Sequence, residues 1–141
     1  MNKEQLQKDA RYIRETYIKK PIRKGNVAVA EVHLQNGVSF GAGATSKERP
    51  ISIPKPKSKG GQFEPKIDSR TQRLMNTDAE YKVLSIIAET LEMLFDLKIS
   101  GNLYLYTELQ PCESCKSIIN QFKDKFPNIT VQLFWELPYP P

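Results

Sequence analysis

Between Asp78 and Trp135 the spacing of apolar residues switches from helical to alternating, back to helical and back to alternating. Val83, Leu84, Ile87, Leu91, Leu94 and Phe95 make one stripe, widened by Ile86, and predict a helix over 78–97. Gly101-Asn102 marks a turn, and 103–107 reads as a short strand with Tyr104 and Tyr106 alternating. Ile118, Ile119, Phe122 and Phe126 form a second helical stripe over 112–126, which Pro127-Asn128 breaks before a last strand over 129–135. A helix between two strands implies a parallel crossover, and such crossovers are right-handed. This half of the chain therefore demands an α/β fold.

The first half supplies the rest of a sheet. Leu6, Ala10, Ile13 and Tyr17 lie at helical spacing over 4–20, and Pro21 helps to end that helix. Residues 26–34 alternate as a strand, Asn36-Gly37 is a hairpin signal, and 38–45 reads as the return strand. Gly41 and Gly43 in that strand lack side chains, so another group can approach the backbone closely. The expected order is α-β-β-α-β-α-β, a three-layer α/β/α sandwich around one mixed sheet. With 141 residues, 39% of them apolar and 26% charged, residues 1–141 are expected to form a single folded domain.

The N-terminus has no apolar export-signal core, and no stretch approaches membrane-spanning length. The chain as given is thus expected to be soluble, without a cleavable signal and without a membrane partner. Its charge is uneven. From Ser46 to Arg73 there are eight basic residues (Lys47, Arg49, Lys55, Lys57, Lys59, Lys66, Arg70 and Arg73) against Glu48, Glu64 and Asp68. That surplus equals the net charge of the whole chain, +5. With Pro50, Pro54, Pro56, Pro65, Gly60 and Gly61 in the same stretch, 46–76 is expected to be one long irregular basic loop. It is either simply solvated or in contact with phosphates. In the second case Lys55, Lys57, Lys59, Arg70 and Arg73 are candidate nucleic-acid contacts. Residues 137–141 read as a proline-rich tail.

The chemistry lies at the two helix starts of the second half. Cys112 and Cys115, the only cysteines, sit three apart in Pro-Cys-Glu-Ser-Cys. Positions i and i+3 share a helix face, so both sulfurs can reach one point. The positive end of a helix favours the thiolates a metal needs. Asp78 offers a third ligand through oxygen, leaving a fourth position for water, the arrangement of a catalytic Zn2+ site. Glu80 is then placed to take a proton from that water and return it to a leaving amine. Both helix starts are expected at one edge of the sheet, where open α/β sheets bind ligands.

Other roles suit the same residues. Thr77-x-x-Glu80 has capping-box spacing, and Asp78 is favourable at any helix start. Capping and catalysis can coexist. A Cys-x-x-Cys pair can also be a redox couple, although here it comes late in the chain and behind a proline. His33 is expected at the surface or an edge. Tyr104, Tyr106 and Trp135 are expected to pack rather than stack on bases.

Zinc deaminases carry H-x-E followed by P-C-x-x-C. The second half of that signature is intact at 111–115, and the first appears as Asp-Ala-Glu at 78–80. The segments TDAEYKVL and LYLYTELQPCESCKSIINQF resemble bacterial polymorphic-toxin deaminases of the cytidine-deaminase-like superfamily, a similarity running from about Asn2 to Trp135. The resemblance implies a deaminase-like sandwich with Asp78, Cys112 and Cys115 as zinc ligands and Glu80 as proton shuttle. Asp78 stands where the family usually has histidine, and an anionic ligand should leave the bound water less acidic. The resemblance further implies the C-terminal effector domain of a secreted toxin, acting in the target-cell cytoplasm, with a cognate immunity protein as a partner. The basic loop favours a polymer as substrate, with cytosine in DNA expected first. A deaminase of free nucleosides or nucleotides is the second expectation. A non-catalytic nucleic-acid-binding domain with structural zinc is the third.

Overall fold

The computed structural model describes residues 3–18, 27–45, 61–63, 79–109 and 113–137. Helix α1 spans Lys3–Ile13 and continues directly into a π-helical turn, Arg14–Ile18. Strands β1, Val27–Leu34, and β2, Ser39–Thr45, form the hairpin. Helix α2 covers Ala79–Leu94, strand β3 Gly101–Leu109, helix α3 Glu113–Lys125 and strand β4 Ile129–Leu137. The sheet order is β2-β1-β3-β4. β1 is antiparallel to both neighbours, and β3 is parallel to β4. The mixed sheet and the α/β class are as the sequence predicts. No helix among the described residues is long and apolar enough to cross a membrane.

Strand alternation sends side chains to two layers. On one face Ala28, Ala30, Val32 and Leu34 of β1 meet Leu103 and Leu105 of β3, beneath α2 and α3. Tyr81, Val83, Leu84, Ile87 and Leu91 from α2 and Ile118, Phe122 and Phe126 from α3 complete this main core. On the other face Val27, Val29 and Tyr106 pack with Leu6 and Ala10 of α1. Tyr106 Oη donates to Glu136 Oε2 at 2.7 Å, and Gln7 Nε2 donates to the same oxygen at 2.8 Å. Burial first, and then the neighbouring carboxylate, push the Tyr106 hydroxyl well above the usual tyrosine range.

The hairpin turns as Asn-Gly suggests. Gly37 has φ 92°, a left-handed value that glycine accepts without a steric cost. Asn36 Oδ1 accepts from the Val38 amide at 3.0 Å. The Leu34 amide bonds Val38 O at 2.9 Å, so three residues, Gln35, Asn36 and Gly37, turn the chain between them, and the Gln35 amide bonds Ser100 O at 3.0 Å. At Gly41 the close neighbour is the Ala30 carbonyl of β1, and at Gly43 it is Ile13. A Cβ at Gly43 would sit 2.5 Å from Ile13 Cδ1.

Several boundaries and faces differ from expectation. β3 runs two residues further at each end than 103–107, and β4 ends at Leu137, the residue expected to open the tail. The added pairing Leu109↔Leu137 carries both strands on. α2 stops at Leu94, not Leu97, because Asp96 takes the Lys98 amide at 2.8 Å and closes a local turn. Ile86 and Leu94, expected on the buried stripe, are exposed. Met93 of α2 and Leu97 just beyond it are exposed as well.

Within the long basic segment, residues 61–63 are described; they are irregular, and they are anchored to the core. Phe63 is buried in the main core, its ring 6.2 Å from that of Phe122. Beside it Lys125 Nζ donates to Gln62 Oε1 and lies 2.7 Å from Glu92 Oε2, a bond that lowers the Glu92 pKa. The middle of the segment is thus tied to the far end of α3. The rest of the segment, with Lys55, Lys57, Lys59, Arg70 and Arg73, lies outside the described residues, as do Pro21 and 138–141.

Arg14, the first residue of the π turn, is buried against Glu108 near the end of β3. Its Nε lies 2.9 and 2.8 Å from the two carboxylate oxygens, and its second terminal nitrogen lies 2.5 Å from Oε1. Removing one partner strands a buried charge, so Glu108→Ala should cost about 3–5 kcal/mol of stability. Replacing both together, Arg14→Met with Glu108→Leu, should recover most of that loss. Urea melts of the three variants measure it, and equal losses in the single and double variants would contradict the account.

Candidate active site

Helices α2 and α3 begin at the same end of the sheet. α2 ends at Leu94, and the short turn after it leads into Gly101, the first residue of β3. Its own start lies beside the other end of β3, where Thr107 Oγ1 donates to Glu80 Oε1 at 2.6 Å. α3 starts four residues after Leu109, a span of at most about 14 Å, and returns to the parallel strand β4. Both helices therefore run opposite to β3, with their N-termini at its carboxyl end. In α/β sheets ligands bind at such an end.

Glu80 is the second residue of α2 and 1% exposed. Every residue from Ala79 to Ser85 is buried, Lys82 included, so the opening turns of α2 are covered on all sides. A carboxylate there is costly unless hydrogen-bonded, and Thr107, itself fully buried, provides such a bond. The next residue along β3, Glu108, points to the opposite face and holds Arg14. The helix start adds a favourable field for the negative charge.

Of the residues the sequence singles out, the structure places Glu80 in full. Cys115 lies in the first turn of α3, with its side chain outside the described residues. Asp78 and Cys112 lie outside them altogether. In sequence each immediately precedes its helix. Among the described residues no group of three or more His, Cys, Asp or Glu side chains could hold a metal. The donor set of two thiolates and a carboxylate at convergent helix starts suits zinc chemically. The buried Glu80 carboxylate suits the proton transfers that a zinc-activated water would require.

His33 sits on β1 opposite Asn102, five residues down β3 from Thr107 and so about 17 Å away from it. Its Nε2 lies 2.7 Å from Glu31 Oε1, and its ring meets Tyr104 edge-on at 5.7 Å. It belongs to the far end of the sheet. Tyr106 packs under α1, while Trp135, beside Thr107 on the edge strand β4, is 40% exposed.

Sequence reading passed over Thr107, Glu108 and Arg14. Each left a signal. Thr107 occupies a core-face position after Leu103 and Leu105, and Arg14 falls on the apolar stripe four residues after Ala10. A polar or charged side chain at a core position needs a buried partner.

A search against curated proteins finds no match. A family of bacterial toxin deaminases, described as the BURPS668_1122 family of deaminases, matches residues 10–136, nearly the whole chain. With its mixed sheet, its two convergent helix starts and that match, the chain belongs to the BURPS668_1122 family of toxin deaminases, within the cytidine-deaminase-like superfamily.

Proposed function

We propose that this toxin deaminase converts cytosine to uracil in DNA, with zinc held by Asp78, Cys112 and Cys115 and with Glu80 carrying the proton. The observation behind it is the buried Glu80 carboxylate, tied by Thr107 to the strand that leads into the two cysteines. A zinc ion at these ligands supplies Lewis-acid activation of a water nucleophile. The water oxygen adds to the ring carbon that bears the amino group, and its proton passes to the Glu80 carboxylate. Glu80 then delivers that proton to the departing nitrogen. The carbon–nitrogen bond breaks, and uracil and ammonia are the products. An acid that takes and returns one proton must stay within hydrogen-bond reach of both partners, which a fixed, buried side chain allows.

A nucleic acid rather than a free nucleoside is the proposed substrate, because the chain concentrates its whole net charge between 46 and 73. Lys55, Lys57, Lys59, Arg70 and Arg73 are the proposed phosphate contacts. A toxin of this kind implies delivery into a target cell and a cognate immunity protein in the producer.

Three measurements test the proposal. Protein purified without added metal should contain about one zinc per chain, and Cys112→Ser should lose most of it. Metal-free protein with full activity would end the zinc reading. Sequencing of DNA and RNA exposed to the protein should show cytosine-to-uracil changes. Glu80→Gln should make them at least ~10²-fold more slowly while keeping its fold and zinc. Adenine-to-inosine changes instead would move the substrate, and no base changes with either polymer would favour free nucleosides. Charge reversal at Lys55, Lys57 and Lys59 should weaken DNA binding and flatten its salt dependence. An unchanged slope would remove these lysines from the interface.

A further inference from the structure

Along β3 the residues facing α2 and α3 are Leu103, Leu105 and then Thr107, all fully buried. A hydroxyl interrupts the apolar series at its last position. Thr107 Oγ1 donates to Glu80 Oε1 at 2.6 Å, joining the start of α2 to a strand residue 27 positions later in the sequence. Hydroxyl-to-carboxylate bonds of this length are stronger than neutral ones. Glutamate has several rotatable side-chain bonds, and anchoring one carboxylate oxygen restricts the rotations that would turn it away from a substrate.

The anchor point is itself held. Glu108, the residue after Thr107, is bound on the opposite face of the sheet by Arg14, and the pair is buried. Thr107 is also flanked by backbone pairing on both sides, with Ala28 of β1 and Trp135 of β4. Little in this part of the strand can shift without breaking buried polar contacts.

We infer that Thr107 is a positioning residue for the deamination, its hydroxyl holding the Glu80 carboxylate in the orientation that transfers the proton. This inference rests on Glu80 being the proton carrier. A bond serving only stability would, when lost, lower the melting temperature and leave turnover per folded molecule alone. A positioning bond acts on kcat, since small misplacements of a catalytic group are costly in rate.

The test uses Thr107→Val, which keeps the shape and lacks the hydroxyl, and Thr107→Ser, which keeps the hydroxyl. Thr107→Ala serves if the valine variant does not fold. The substrate is the polymer on which sequencing detects conversion by the wild type. Zinc content and melting temperature are measured beside kcat and KM. Thr107→Val should lose about 10- to 100-fold in kcat, with KM within about twofold and zinc retained. Thr107→Ser should stay within about threefold of wild type, because the donor remains. A normal kcat in Thr107→Val or Thr107→Ala, next to a dead Glu80→Gln, overturns the inference while leaving Glu80 as proton carrier. Equal losses in the serine and valine variants also overturn it, since the hydroxyl would not be what matters. Wild-type turnover in Glu80→Gln overturns the proton-carrier reading and this inference together.

Discussion

The carboxyl end of β3 is held from both faces, and the arrangement of the site depends on that grip. On one side Thr107 bonds the buried Glu80 of α2, and on the other Glu108 bonds the buried Arg14 after α1. Adjacent strand residues point to opposite faces, so two neighbours reach two different helical layers. A buried ion pair of this kind does not need to add net stability. Its effect is to specify one arrangement, because any slip of α1 or of β3 would leave a charge without its partner in a dry interior.

The crossover from β3 through α3 to the parallel strand β4 brings a second helix N-terminus to the same end. Two helix starts next to one strand end concentrate backbone amides and partial positive charge in a small volume. That environment suits carboxylates and thiolates, the residue types found at Glu80 and in the Cys-x-x-Cys segment. The family match over 10–136 gives the class of chemistry, a deaminase toxin, and the topology is compatible with that fold. The choice of base and polymer depends on residues around the site rather than on the fold.

The segment between β2 and α2 has two characters. Its composition is that of a solvated basic loop, yet Phe63 enters the main core and Gln62 meets Lys125. Burying one aromatic ring in the middle of a long connection divides it into two shorter ones and lowers the entropy cost of ordering each. One end of that connection leads to Glu80 at the site, and its midpoint is fastened at the opposite end of α3.

The sequence by itself determined the element order, the α/β class, the hairpin at Asn36-Gly37 and the positions of the Asp-Ala-Glu and Pro-Cys-x-x-Cys segments at two helix starts. All of these follow from patterns within a few residues: a period of 3.6 or 2, a turn dipeptide, a cap, a thiol spacing. Only the tertiary structure decided what those patterns meet. Thr107 with Glu80 and Arg14 with Glu108 are pairs 27 and 94 residues apart, and Phe63 lies 59 residues before Phe122. The outward turn of Ile86 and Leu94 was likewise decided by packing, since the sheet and α3 together cover a narrower face of α2 than its apolar residues span. Periodicity shows that a residue can face a core. Which groups come within bonding distance depends on how strands align and helices cross, and that is settled by the burial of the chain as a whole.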